Sequence, residues 1–187
     1  MMSASQNSSS KLGPVVVSAG RRVDAPDTST PRFPPQSVPV VRVRVEEYLQ
    51  QHKPSAVVCS AACGADLILL QAARQNDVPR YVLLPSSPEK FRETSVADRP
   101  GDWGAIYDEI LRQSNVEVHE VPDGQEGYLE VNRRLLDKAQ ALAAELGASV
   151  AALVIWNQQS RGDDDVTAHF KDEAEQRGFT VAEIPTF

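Results

Sequence analysis

Short apolar, β-branched runs recur along this chain, each separated from the next by a segment long enough to hold a helix. Residues 14–19 read PVVVSA, 56–60 AVVCS, 81–84 YVLL and 149–156 SVAALVIW, with further strands expected at 116–121 and 179–184. Antiparallel neighbours are joined by tight hairpins, whereas parallel neighbours need a longer crossover, usually a helix. The spacing therefore selects parallel strands. A run without polar alternation is a strand buried on both faces, which requires helices above and below it. The expected fold class is α/β: a doubly wound, mainly parallel sheet with helices on both faces, Rossmann-like.

The intervening segments supply the helices. Val41, Val45, Tyr48 and Leu49 recur at helical spacing within 38–51, although valine favours strands. Leu67, Leu70, Gln71 and Arg74 mark the turns of a helix over 64–75. Further helices are expected over 104–113, over 127–146 with a stop at Gly147, and over 165–177 before Gly178. The segment 149–156 is the most apolar and belongs at the centre of the sheet. Residues 21–36 read as a long polar, Pro-rich loop. Residues 1–13 are Ser-rich and are expected to form a disordered tail, leaving one domain over 14–187.

Charge and composition narrow the function. Lys and Arg number 19 against 26 Asp and Glu, a net charge of −7. That balance argues against extended nucleic-acid binding, which usually needs a net basic face, and leaves room for one small anion pocket. No apolar run approaches the ~20 residues of a membrane helix, so no membrane partner is expected. The segment MMSASQNSSSKLGP lacks the apolar stretch of a secretory signal. Cys59 and Cys63 make no disulfide framework and too few metal ligands. The expected compartment is a reducing cytoplasm. His52, His119 and His169 fall in unrelated segments, so neither a metal site nor a cofactor is expected.

In a sheet of this kind ligands bind at the strand C-terminal ends, beside helix N-termini that attract anions. Five strand-to-helix loops therefore carry the information. In Ser18-Ala19-Gly20-Arg21-Arg22, glycine permits close backbone approach and an arginine pairs with a phosphate, or else the segment is a turn with solvated arginines. In Ser60 to Asp66, Gly64 opens a helix and Asp66 lies in its first turn. Asp66 either caps that helix or binds ribose hydroxyls or a base edge, and spacing favours the cap. Cys63 beside a helix start has either a lowered thiol pKa or, as the better account, a small buried thiol. Residues 85–96, with Ser95, read as a surface loop. Tyr128 and Asn132 share one face of the long helix, where Asn132 is either a sugar or base contact or simply solvated. The segment 156–167 joins the most buried strand to a helix start. Asp163, Asp164 and Asp165 there read as a charged helix entry rather than a metal site. Thr167 offers its hydroxyl and its backbone N–H to a phosphate.

These segments occur in a familiar order. Ser-Ala-Gly-Arg-Arg at 18–22, Ala62-Cys63-Gly64-Ala65-Asp66, Leu84-Pro85 followed by Glu89-Lys90-Phe91, and Trp156 followed by Gly162 and Thr167 resemble the SLOG superfamily. These are Rossmann-like domains related to the Lonely Guy (LOG) phosphoribohydrolases and the Smf/DprA DNA-processing proteins. The resemblance runs from about residue 14 to 187. It implies a nucleotide or nucleotide-derived ligand at the strand C-terminal edge, bound by Gly20, Arg21, Gly64, Asp66, Gly162 and Thr167, with Ser95, Asn132 and Trp156 beside them. Catalytic LOG enzymes carry Pro-Gly-Gly-x-Gly-Thr with a Glu soon after the Thr. Here the matching stretch is Ser160-Arg161-Gly162-Asp163-Asp164-Asp165-Val166-Thr167, with one glycine at Gly162 and the next acids at Asp172 and Glu173.

Two functions follow. One is a sensor of a nucleotide-derived signal in a bacterial stress or defence pathway, working through a homodimer or a separate effector protein. The other is an N-glycosidase acting on a nucleotide or nucleoside, with Asp66 as the catalytic carboxylate and Glu89, Asp98 or Asp163 as its partner. An interaction module anchored by Trp103 and Trp156 is the third reading, set back by the position of Trp156 at the end of a buried strand.

Overall fold

A computed structural model describes residues 12–187. Most of the tail expected over 1–13 lies outside the described residues. The chain runs β1 (Val15–Gly20), a single 3-10 turn (Pro35–Ser37), α1 (Val38–His52), β2 (Ala56–Cys59), α2 (Ala65–Gln75), β3 (Arg80–Leu84), α3 (Pro88–Ser95), α4 (Trp103–Arg112), β4 (Asn115–Val118), α5 (Gln125–Leu146), β5 (Val150–Trp156), α6 (Val166–Gln176) and β6 (Thr180–Pro185).

The six strands form one sheet in the order β4-β3-β2-β1-β5-β6, with every pairing parallel. The chain thus builds outward from β1 to β4, then returns to lay β5 on the other side of β1. Right-handed crossovers dictate the layering: a reversal of direction sends later helices to the opposite face. Side chains alternate accordingly. Val16, Val57, Val82 and Leu153 join the core under α1, α2 and α4, while Val17, Val58, Leu83 and Val154 join the core under α5 and α6. Because both faces are covered, the inner strands show the unbroken apolar runs seen in the sequence. Among the described residues no helix is long and apolar enough to cross a membrane.

The segment 149–156, expected at the centre of the sheet, is β5 and lies beside the edge strand β6, and one further element departs from the expected order. The loop read over 85–96 contains α3. Its helical signals are local: Ser87 accepts from the Lys90 amide and Pro88 fills the first turn, where its missing N–H costs nothing. Only Phe91 and Ser95 are buried, so no apolar stripe announced it. The strand expected over 116–121 is shorter and begins one residue earlier, because this edge strand has a single neighbour, β3, to pair with.

Candidate functional site

The topological switch lies between β1 and β5, the place where an open α/β sheet accepts ligands. Beside it, above the C-terminal ends of β1, β2 and β3, a cleft of about 400 Å³ opens. That volume suits a small molecule. Its floor is Ser18, Ala19, Gly20 and Ser60; one wall comes from the β1–α1 loop, α2 and α3, the other from α5 and α6. Arg21, Arg22, Arg32, Arg99 and Arg161 line it, against the carboxylates of Asp24 and Asp66. A chain of net charge −7 has therefore gathered cations at one place.

The arginines are not equivalent. Arg21 is almost fully buried, and its two terminal nitrogens donate to the two oxygens of Asp165 at 2.7 and 2.6 Å. Its Nε donates to Asn157 Oδ1 at 3.1 Å, and Nη2 also to the Gln159 carbonyl at 2.9 Å. The guanidinium lies 5.5 Å from the Trp156 ring. Asp165, fully buried, is the N-cap of α6 and accepts from the amides of Thr167, Ala168 and Arg161. Burial alone would raise this carboxyl, but the hydrogen bonds from Arg21 and the Arg161 amide outweigh it and hold it well below the usual carboxylate range. Two expectations are corrected here. Arg21 has no free fork for a phosphate, and the Thr167 N–H is taken. One carboxylate of the chain already fills the anion site at the start of α6.

The β1–α1 loop is held differently. Its residue 24 carboxylate (Asp24 Oδ2) accepts from the amides of Arg32 and Phe33 at 2.8 and 2.9 Å, and the Asp24 amide donates to the Phe33 carbonyl, closing the excursion at its base. Phe33 plugs into the core. Arg32 is thus fixed through its backbone, and its guanidinium has no hydrogen-bond or ion-pair partner among the described residues. Arg22 and Arg99 share Asp98, which stands behind the cleft, and Arg99 also donates to the Val23 carbonyl.

Asp66 is buried in the cleft wall. The N-cap of α2 is Gly64 and makes no side-chain cap, and Asp66 Oδ2 instead accepts from the Ala62 amide at 3.1 Å. The expected cap is therefore absent. Burial raises its pKa to about 7, against the lowering pull of the Ala62 amide and of Arg22. Desolvation thus favours the neutral form of this carboxyl inside the cleft.

The structure brings Gly20, Arg21, Asp66, Ser95, Asn132 and Thr167 to this cleft. Asn132 donates from Nδ2 to the Val166 carbonyl at 2.9 Å, and its oxygen has no partner among the described residues. Gly64, Trp156 and Gly162 are placed elsewhere, a correction to the expected set. Gly64 has φ +101° and bridges to Arg22, and a Cβ there would lie 2.7 Å from the Val23 nitrogen. Its role is to let two backbones meet. Trp156 is buried beneath α5 and α6, and its Nε1 donates to Glu183 at 2.6 Å. Gly162 turns an exposed loop. Glu89, Asp98 and Asp163 do not line the cleft either. Burial pushes the Cys63 thiol up, with Arg22 opposing it, so this is a small buried thiol rather than an activated one. Sequence reading missed Arg32, Arg99 and Arg161. Arg32 and Arg99 stand in loops with no motif around them, and Arg161 lies within the 156–167 segment, where attention fell on Gly162 and Thr167. Among the described residues no group of three or more His, Cys, Asp or Glu is gathered to hold a metal.

The fold and cleft define a doubly wound α/β domain with an arginine-lined site beside its switch point. No family model matches the chain, and no curated protein matches it. Similar solved structures include two of DNA processing protein A. DNA processing protein A (DprA) from Streptococcus pneumoniae matches with TM-score 0.46 and 17% identity, over 91% of this chain and 58% of that one. DNA processing protein A from Helicobacter pylori matches with TM-score 0.37 and 15% identity, over 90% of this chain and 75% of that one. This chain thus spans little more than half of the pneumococcal protein. Both are DprA, of the Smf/DprA group to which the sequence motifs bear a resemblance. The Helicobacter protein is described by its single-stranded DNA binding mode. That finding overturns the exclusion of extended nucleic acid drawn from net charge: an acidic total does not decide what a local cationic cleft accepts.

Proposed function

We propose that this domain binds a nucleotide or nucleotide-derived ligand in the cleft beside β1. The observation that carries the reading is the group of Arg22, Arg32 and Arg99 on one wall of a concave site in an acidic chain, where Arg22 and Arg99 share the single carboxylate of Asp98 and the Arg32 guanidinium has no partner among the described residues. Anionic, sugar-bearing ligands satisfy both the cations and the hydroxyl and amide groups of Ser95, Asn132 and Thr167. Binding without turnover is the reading favoured here, because Asp24 is committed to the Arg32 and Phe33 amides and Asp66 is the remaining carboxyl of the lining. A sensor of this kind signals through a homodimer or a separate effector chain, as a bacterial stress or defence response would require.

Thermal shift against nucleotides, ADP-ribose, NAD, cyclic dinucleotides and a short single-stranded DNA tests the reading. A ligand at a hundred times Kd adds about 2.7 kcal/mol of stability. A panel without one positive shift removes the proposal, and a shift with the oligonucleotide alone replaces the small ligand by a strand.

One observation favours a second reading, the N-glycosidase. Asp66 is a carboxyl buried in the cleft wall, and burial raises its pKa to about 7, in the range of a general acid. Incubation of any binding nucleotide followed by chromatography for free base decides it. Release of base that is lost in Asp66→Asn makes the domain an enzyme, and intact ligand leaves the sensor.

A further inference from the structure

The two walls of the cleft differ in what they leave unsatisfied. On the α5–α6 side the donors of the α6 N-terminus are spent on Asp165, which takes the amides of Thr167 and Ala168 and both terminal nitrogens of Arg21. Besides Arg161, whose guanidinium faces the same Asp165 carboxylate at 3.8 Å, what remains there is neutral: the Thr167 hydroxyl, the Asn132 side-chain oxygen and the Tyr128 ring. On the opposite side stand Arg22, Arg32 and Arg99. The first and last use part of their forks on Asp98 and keep donors to spare, and Arg32 uses none of its fork. A guanidinium held in place through its backbone while its five donors stay unengaged is suited to a charge-assisted contact with an incoming anion.

We propose that the ligand binds with its phosphate at Arg22, Arg32 and Arg99 and its base or sugar against Tyr128, Asn132 and Thr167, because Asp165 already occupies the anion position at the start of α6. This assignment rests on the nucleotide-binding reading and adds a direction to it. It is the reverse of the orientation in which Gly162 and Thr167 cradle the phosphate. It also sets the ligand class: a compound whose neutral end is read by hydrogen bonds and whose anionic end is read by charge. A phosphate placed at the α6 end would meet the Asp165 carboxylate and find its amides taken.

The test compares adenosine with adenosine 5′-monophosphate by calorimetry on the full chain. In the wild-type protein the phosphate strengthens binding by roughly tenfold or more. In Arg32→Ala, and in Arg32→Gln as a second variant of similar length, that ratio falls toward one while adenosine itself binds unchanged. In Thr167→Val both compounds weaken by the same factor and the ratio stands. A ratio that survives in both Arg32 variants, or that collapses in Thr167→Val, overturns the orientation and leaves the nucleotide site intact. Failure of both compounds to bind the wild-type protein at millimolar concentration overturns the orientation together with adenine nucleotides as the ligand.

Discussion

Arg21 and Asp165 stand 144 positions apart in the chain and meet in a two-armed ion pair of 2.7 and 2.6 Å, with the carboxylate fully buried. The arginine follows β1 directly and the aspartate caps α6, the helix after β5, so the pair fastens the two chain segments that leave the switch point. Each partner is also satisfied elsewhere, Arg21 by Asn157 and the Gln159 carbonyl, Asp165 by three backbone amides. A buried pair is favourable only when such additional bonds offset its desolvation, and here they are present.

Removing one partner strands the other charge. Asp165→Asn keeps an N-cap but leaves Arg21 uncompensated, and is expected to cost on the order of 3–5 kcal/mol in urea unfolding. Arg21→Met with Asp165→Asn is expected to be no worse than the single Asn variant, because the orphaned cation is gone. The double-mutant cycle should give a coupling of about 1 kcal/mol or more. Additive costs would show that the two side chains do not act as a pair.

The same pair sets a response to acid. The Asp165 carboxyl is held below its unfolded value, so its contribution is complete above about pH 4 and is lost as pH falls through the native value. The stability gap between wild type and Asp165→Asn should therefore narrow steadily below about pH 4. A gap constant from pH 7 to pH 3 would sever the link between this carboxylate and Arg21.

Asp66 behaves in the opposite sense. Its carboxyl rises from 3.8 in the unfolded chain to about 7 in the fold. A raised acid stabilises the native state below the unfolded pKa, and that contribution disappears as pH climbs from about 4 to 7. Asp66→Asn, which still accepts from the Ala62 amide, should be the more stable protein at pH 8 by on the order of 2–4 kcal/mol and should lose this part of the pH dependence. Equal melting curves for the two proteins at pH 8 would mean that Asp66 ionises freely.

The parallel sheet was legible because its inner strands are covered on both faces, which forces unbroken runs such as Val15-Val16-Val17 and Ala151 to Trp156. Helix α3 was not, since Phe91 and Ser95 are the only side chains it buries. For the site, the crevice loops were legible from strand ends and small residues. The use made of them was not. Three consecutive aspartates at 163–165 give no sign of which one is buried, and only the partner from β1, far away in sequence, decides it. Arg32 sits in a Pro-rich loop without a motif, and its place at the cleft comes from the Asp24 clasp and the Phe33 anchor.

Two glycines of the expected ligand set separate geometry from chemistry. Gly64 has φ +101° and Gly162 φ +104°, so any side chain strains both backbones. They differ in surroundings. A Cβ at Gly64 would lie 2.7 Å from the Val23 nitrogen and 2.8 Å from the Arg21 carbonyl oxygen, backbone atoms fixed by the Arg22–Gly64 bridge and by the Ala65 amide donating to Arg21 at 3.1 Å. At Gly162 nothing lies within 4 Å. Gly162→Ala should therefore cost only dihedral strain, about 1 kcal/mol in an exposed loop free to relax. Gly64→Ala adds overlap with fixed backbone and should cost about 3 kcal/mol or more. Because the Gly64 bridge carries Arg22, the Gly64 variant should also weaken nucleotide binding, while the Gly162 variant should bind as wild type does. Urea unfolding and calorimetry on both proteins check this. Equal losses of stability would remove the steric distinction between the two glycines, and loss of binding in the Gly162 variant would return Gly162 to the ligand site and place the phosphate at α6 after all.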